Sequence, residues 1–156
     1  MNITEVIDDI ESLEGVLALK PQPGDGTPEI AWGDAFFYFA PDGVIPQTQP
    51  FATIVTKDYP DDASSGLDRP GAFRVNIAAG KELFHRWADT ASGPAATGPV
   101  ASGPAADDTV IAHPVYGELH WLAVTNPGPQ SADALRELIR AAHAAARARY
   151  ERRGSV

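Results

Sequence analysis

The segment "AFRVNIA", Ala72 to Ala78, alternates strictly: Phe73, Val75 and Ile77 point one way, Arg74 and Asn76 the other. Side chains of a strand point to its two faces in turn, so this strand has one apolar and one polar face. A sheet built from such strands packs one face on a core and leaves the other open, which is the habit of antiparallel sheets. Other segments fit the same sheet. "VLALK" (Val16–Lys20), "EIAWGDAFFYFA" (Glu29–Ala40) and "PFATIVTKDYP" (Pro50–Pro60) are set off by turn clusters such as "PQPGDGTP" and "PDG". "LHWLAVT" (Leu119–Thr125) is the last strand, and "NPGPQ" turns the chain after it.

Helices frame these strands. Thr4 reads as the cap of a helix running to about Leu13, with Ile7, Ile10 and Leu13 facing inward, and Gly15 stops it. A short helix from about Gly80 to Ala88 carries Leu83, Phe84 and Trp87 on one side. Ser131 reads as the cap of a long helix to about Arg152, with Leu135, Leu138, Ile139, Ala142 and Ala146 on its core stripe. The expected fold is α+β: an antiparallel sheet of about five strands with terminal helices packed on one face. The 156 residues form a single domain, 1–156. Within it, residues 90–109 ("TASGPAATGPVASGPAADDT") repeat "SGPAA" at Ser92 and Ser102 and read as an inserted low-complexity mobile loop.

Charge narrows the partners. The net charge is −9, with thirteen acids against three bases over Met1–Ala72 and eight against nine over Phe73–Val156. Phosphate backbones are held by Lys and Arg, so nucleic acid is a poor partner for most of this chain. The exception is the closing helix, where Arg136, Arg140, Arg147 and Arg149 offer a DNA-binding alternative. The absence of cysteine removes disulfides, thiolate nucleophiles and Cys-type zinc sites. No stretch approaches the ~20 apolar residues of a membrane helix, so no membrane partner is expected. The start, "MNITEVIDDIESLEG", has acids where a signal peptide needs bases, and a cytoplasmic protein is expected.

Three stretches carry a resemblance: "FFYFAPDG", "FRVNIAAGKELFHRW", and "HPVYGELHWLAV" followed by "ALRELIRAAHAAA". Their order resembles the MmcQ/YjbR-like proteins, which have a double-wing, frataxin-like (CyaY-like) fold. The blocks "PEIAWGD", "PFATIVTKDYP", "DRPGAFRVNI" and "HPVYG" look more closely like an uncharacterised family of short bacterial proteins, known only as a domain of unknown function. That likeness covers nearly the whole chain except Ser92–Asp108. The wider resemblance implies the fold and the DNA-binding alternative, and it transfers no catalytic residue. Frataxin-like proteins use an acidic ridge on the first helix for iron, which here would be Glu5, Asp8, Asp9, Glu11 and Glu14. The plainer reading is that the first of these acids favour the positive end of the helix and the rest are solvated.

Candidate site residues follow from the alternation. In "LHWLAV", His120 falls with Leu122 and Val124, and Trp121 with Leu119 and Ala123. With the helices on the Trp121 face, His120 shares the open face with Tyr38, Lys57, Arg74 and Asn76. Arginine supplies a planar donor fork and histidine titrates near neutrality, so this set suits a small anionic or aromatic ligand. It is also what a water-bathed sheet face looks like. His113, before Pro114, reads as scaffold that holds "HPVYG" by hydrogen bonds to the backbone. His143 reads as a partly exposed polar position. Pairing His85, His113 and His120 around zinc fits no standard ligand spacing, so no metal or cofactor is expected. Ser64 and Ser65, in the exposed loop "DDASSGLDRPG", have no paired base, and that loop could instead form a lid. The expected function is a non-enzymatic binding module for a small ligand or protein partner, as monomer or homodimer. The alternatives are DNA binding through the closing helix, and a small enzyme with His120 as general base beside Arg74.

Overall fold

A computed structural model describes residues 1–63, 65–90 and 107–154. Most of the repeated "SGPAA" segment, and Ser64, lie outside the described residues. The elements are α1 (Ile3–Glu11), β1 (Val16–Leu19), β2 (Ala35–Phe39), β3 (Ala52–Val55), β4 (Arg74–Ala78), α2 (Lys81–Thr90), β5 (Val110–Ala112), β6 (Trp121–Thr125) and α3 (Ala132–Gly154). The strands form one sheet in the order β1-β2-β3-β4-β6-β5. Every neighbouring pair is antiparallel. The expected five strands become six because β5, only three residues long, pairs with β6 at the sheet edge. Its "VIA" sits directly after the low-complexity stretch and is too short to show a period. No helix among the described residues is long and apolar enough to cross a membrane.

Register explains the two faces. Ile54 lies opposite Val75, Val75 opposite Val124, and Ile77 opposite Leu122, so one face is a continuous aliphatic layer. Val6 and Ile10 of α1 and Leu135, Leu138 and Ile139 of α3 close over it. Each such side chain contributes roughly 1.5–3 kcal/mol by leaving water. Leu83, Phe84 and Trp87 of α2 pack against the same core. The helices therefore cover the Leu122 and Val124 side of β6, and Trp121 is on the open side, the reverse of the sequence expectation. His120 is not in the strand at all. It ends a 3-10 turn, Gly117–Leu119, in the left-handed region at φ 67°, donating its N–H to Gly117 at 3.0 Å. That turn needs a left-handed residue to redirect the chain into β6, and His is among the side chains that tolerate one.

Caps and loops differ in detail. Asn2, not Thr4, caps α1, in a reciprocal capping box with Glu5. Gly15 has φ 69°, and a Cβ there would lie 2.7 Å from the Phe39 ring. His143 is buried rather than partly exposed: its Nε2 donates to the Glu14 carbonyl at 2.7 Å, and its ring meets Phe39 and Phe51 edge-on. "DDASSGLDRPG" is not simply an exposed loop, since Ser65 and Leu67 are buried. The start of α3 is held by Asp108, whose carboxylate accepts the N–H groups of Gly128 (2.7 Å), Gln130 (3.1 Å) and Ser131 (2.8 Å). Ser131 does not cap with its own oxygen but donates its hydroxyl to Asp108 at 2.6 Å.

Burial raises the Asp108 carboxyl, but Ser131 and these backbone donors more than offset that and hold it below the ordinary range. A depressed carboxylate contributes stability above its unfolded pKa and loses it as pH falls through the folded value. Asp108→Ala should lower stability by about 2 kcal/mol near neutrality, read as a denaturant midpoint shift. The gap between variant and parent should persist at about pH 5 and narrow as the pH falls below the ordinary aspartate value of about 3.9.

Candidate functional site

The open face is built by the same alternation that makes the core. Phe36, Thr53, Asn76 and Ala123 stand in one cross-strand row, and Val55, Arg74 and Thr125 in another. This surface floors a cavity of about 520 Å³. Its aromatic lining is Phe36, Tyr38, Tyr59, Tyr116 and Trp121. The loop before β2 adds Pro28 and Ile30, and the loop after β3 adds Asp61 and Asp62. Burial raises the Tyr38 phenol above its ordinary pKa, so it enters the cavity as an uncharged hydroxyl.

Arg74 is the polar centre and is only 1% exposed. A buried guanidinium is tolerated only when its charge and donors are matched. Asp62 matches the charge in a forked pair, Nη1 to Oδ1 at 2.9 Å and Nη2 to Oδ2 at 2.5 Å. Nη1 also donates to the Ser65 hydroxyl at 3.0 Å, and Nε to Asn76 Oδ1 at 2.7 Å. Asn76 passes the chain on, its Nδ2 donating to Thr53 Oγ1 at 2.9 Å. Burial pushes the Asp62 carboxyl up, but the Arg74 guanidinium prevails and holds it below the usual range.

His113 completes the group. Its Nδ1 accepts the backbone N–H of Val115 and of Tyr116, each at 3.0 Å, which holds the "HPVYG" loop as scaffold. A neutral ring with Nδ1 so engaged carries its proton on Nε2. Nε2 lies 3.2 Å from Arg74 Nη2, so two donors face one another. Among the described residues no acceptor takes the Nε2 proton. Burial first, then the Arg74 charge, push the His113 pKa down to about 4, with Asp62 pulling partly back. The ring is neutral at neutral pH and has no free basic nitrogen.

The candidates named from sequence divide. Tyr38, Arg74 and Asn76 meet in the cavity. Lys57 does not line it: its ammonium donates to the Trp32 carbonyl at 2.8 Å and to Asp34 at 3.0 Å. Asp34, 2% exposed, also accepts Thr56 and the Tyr59 hydroxyl, so Lys57 serves a network that fixes the loop after β3. His120 lines a neighbouring hollow that meets the cavity at His113 and Val115, its ring 5.5 Å from those of Phe84 and His85, with Glu118 nearby. Among the described residues no group of three or more His, Asp or Glu could hold a metal ion. On α3, Arg136 pairs with Asp9 at 3.2 Å and Arg147 with Glu14 at 3.2 Å, so the acids of the first helical region and the arginines of the last face each other. Arg140 and Arg149 are exposed.

His113, Tyr116, Trp121 and Asp62 were not among the candidates. For Trp121 a signal existed: Leu122 and Val124 are the aliphatic partners for Ile77 and Val75, which leaves Trp121 on the Arg74 side. Nothing in "DDASSGLDRPG" distinguishes Asp62 from its acidic neighbours.

Fold and site together define an α+β protein with helices on one face of an antiparallel sheet and an aromatic-walled cavity on the other. A family model described as a family of unknown function (DUF6194) matches residues 1–155, and the chain belongs to that family. Neither curated proteins nor solved structures give a match.

The depressed His113 pKa has a directional consequence. An unfolded histidine takes a proton near pH 6.5, whereas folded His113 refuses it until about pH 4. The unfolded chain therefore binds more protons in that window, and stability falls as pH drops through it. Denaturant midpoints of the parent and of His113→Gln should diverge near neutrality and converge toward about pH 4, the variant having the flatter profile. The His113 ring resonance should stay unshifted from neutrality to about pH 5; a normal titration near 6.5 would contradict the buried geometry.

Proposed function

We propose that this chain is a non-enzymatic binding module whose open-face cavity takes an uncharged aromatic group carrying a hydrogen-bond acceptor. The observation that carries this reading is the pair of donors, Arg74 Nη2 and His113 Nε2, set 3.2 Å apart with no acceptor for the second, in an aromatic-walled cavity. A single ligand oxygen beside the two would satisfy both. The volume, about 520 Å³, is in the ordinary range for small-molecule sites. Charge favours the aromatic over the anionic ligand. Asp62 already neutralises Arg74, and Asp61 adds a further negative charge at the rim.

The other readings have less support. His120 does not line the cavity, and the His113 lone pair is engaged by backbone N–H groups, so neither histidine is placed as a general base there. Arg136 and Arg147 are paired with acids, which weakens a phosphate-binding face on α3. Kinship with the MmcQ/YjbR-like, double-wing proteins belongs to this reading too, supported by the order helix, antiparallel sheet, closing helix; fold alone does not assign function. A cytoplasmic location belongs to the same reading.

The test is an NMR titration of the full chain with benzamide, benzoate and benzylammonium in parallel. Benzamide should move the Trp121 indole and Asn76 side-chain N–H signals saturably, with a low-millimolar Kd, at roughly 0.4 kcal/mol per heavy atom. Trp121→Ala should abolish the response. Stronger binding of benzoate, or no saturation with any of the three, would sink the proposal.

A further inference from the structure

The cavity does not stop at Trp121. A second hollow of about 350 Å³ adjoins it, and Tyr38, Gln49, Pro50 and Trp121 line both. The two are therefore neighbours across a common border of these four residues, and together they are taken as one groove. Its far rim carries Arg149 and Arg153 of α3. These two are one helical turn apart and present like charges on the same helix face, an unfavourable arrangement unless an anion joins them. Neither forms an ion pair with a described residue, whereas Arg136 and Arg147 on the same helix do. Arginines late in a helix also suit its negative end, but Arg152 meets that role equally and does not line the hollow. Among the described residues no carboxylate lines this second hollow, in contrast to Asp61 and Asp62 in the first. Trp121, between them, is 9% exposed.

The groove thus has a neutral, aromatic end and a cationic end. We infer that its ligand is amphipathic, with an uncharged aromatic head in the cavity and an anionic tail, of carboxylate or phosphate class, on Arg149 and Arg153. This rests on the reading of the cavity above and adds the charge and length of what fills it. The tail acts as a charged anchor: guanidinium forks bind such groups through paired, charge-assisted hydrogen bonds.

The experiment uses benzamides whose nitrogen carries a carboxylate on tethers of one, three or five methylene groups, each beside its neutral primary-amide analogue. Titrations of the full chain, followed at the Trp121 indole N–H, give a ratio of affinities for each pair. At the tether that spans the groove the carboxylate should bind about tenfold tighter than the amide, and the ratio should fall toward one in Arg149→Gln/Arg153→Gln. Both arginines are exposed, so the variant should fold. Ionic strength of about 0.5 M should shrink the ratio in the parent. If benzamide binds but carboxylate and amide bind alike at every length, the tail site is wrong and the cavity stands. A carboxylate preference that survives loss of both arginines also overturns it, because the anion then sits elsewhere. If neither benzamide nor any tethered compound saturates, head and tail sites fall together.

Discussion

A guanidinium buried on a sheet face that lacks a helical cover needs a counter-charge close by, and in this chain that need organises the whole open side. Arg74 draws Asp62 down onto the sheet through a two-point ion pair. Asp62 is backbone-paired to Tyr59, each N–H donating to the other's carbonyl. Tyr59 is tied in turn to Asp34, which also holds Lys57 and Thr56. One loop is thus pinned at two points, to β4 by Asp62 and to the start of β2 by Tyr59. Pinned there, it becomes a wall. Replacing such a pair by apolar groups need not cost stability, but removing one partner leaves an uncompensated charge, at roughly 3–5 kcal/mol. The pair is therefore better understood as what gives the cavity its shape than as a source of net stability.

The same pair determines what His113 can be. Held against a positive charge and out of water, its imidazole stays neutral, and the backbone of Val115 and Tyr116 claims its remaining lone pair. Scaffold and site are not alternatives for this residue. The nitrogen that fixes the loop leaves the other nitrogen as a fixed donor aimed beside Arg74. A rigid donor of this kind orients a ligand well and serves poorly as a base. That is the physical reason the role proposed for His113 is recognition rather than proton transfer.

Legibility in the sequence tracked the range of the interaction. The period-two pattern of Phe73 to Ile77 and the stripe Leu135, Leu138, Ile139 are local, so β4, α3 and the α+β class could be read directly. Arg74, Asn76 and Tyr38 followed because their neighbours left them only one face. The errors came where a choice was made at a distance. Both sets of side chains in "LHWLAVT" are apolar, so periodicity alone could not orient β6; its pairing with β4 does. His120 looked like a strand residue because nothing local announces a left-handed turn at a non-glycine. Lys57 sits where the open face would have it, but the buried Asp34, over twenty positions earlier, claims its ammonium. Asp62 and Asp108 do structural work that depends on partners twelve and twenty or more positions away, and no window of sequence contains those pairs.

Asp108 also has a neighbour, Asp107, which meets the Arg69 fork at 2.9 and 3.1 Å and accepts from Asn126 at 3.1 Å. Two successive carboxylates thus fasten the chain just where residues 91–106 rejoin the fold, and α2 leads into them from the core side. Chain length between two fixed points adds closure entropy only logarithmically, about 0.6 kcal/mol per doubling. The Asp107 and Asp108 anchors therefore make the return of the chain into β5 insensitive, to within that logarithmic term, to how much sequence precedes them.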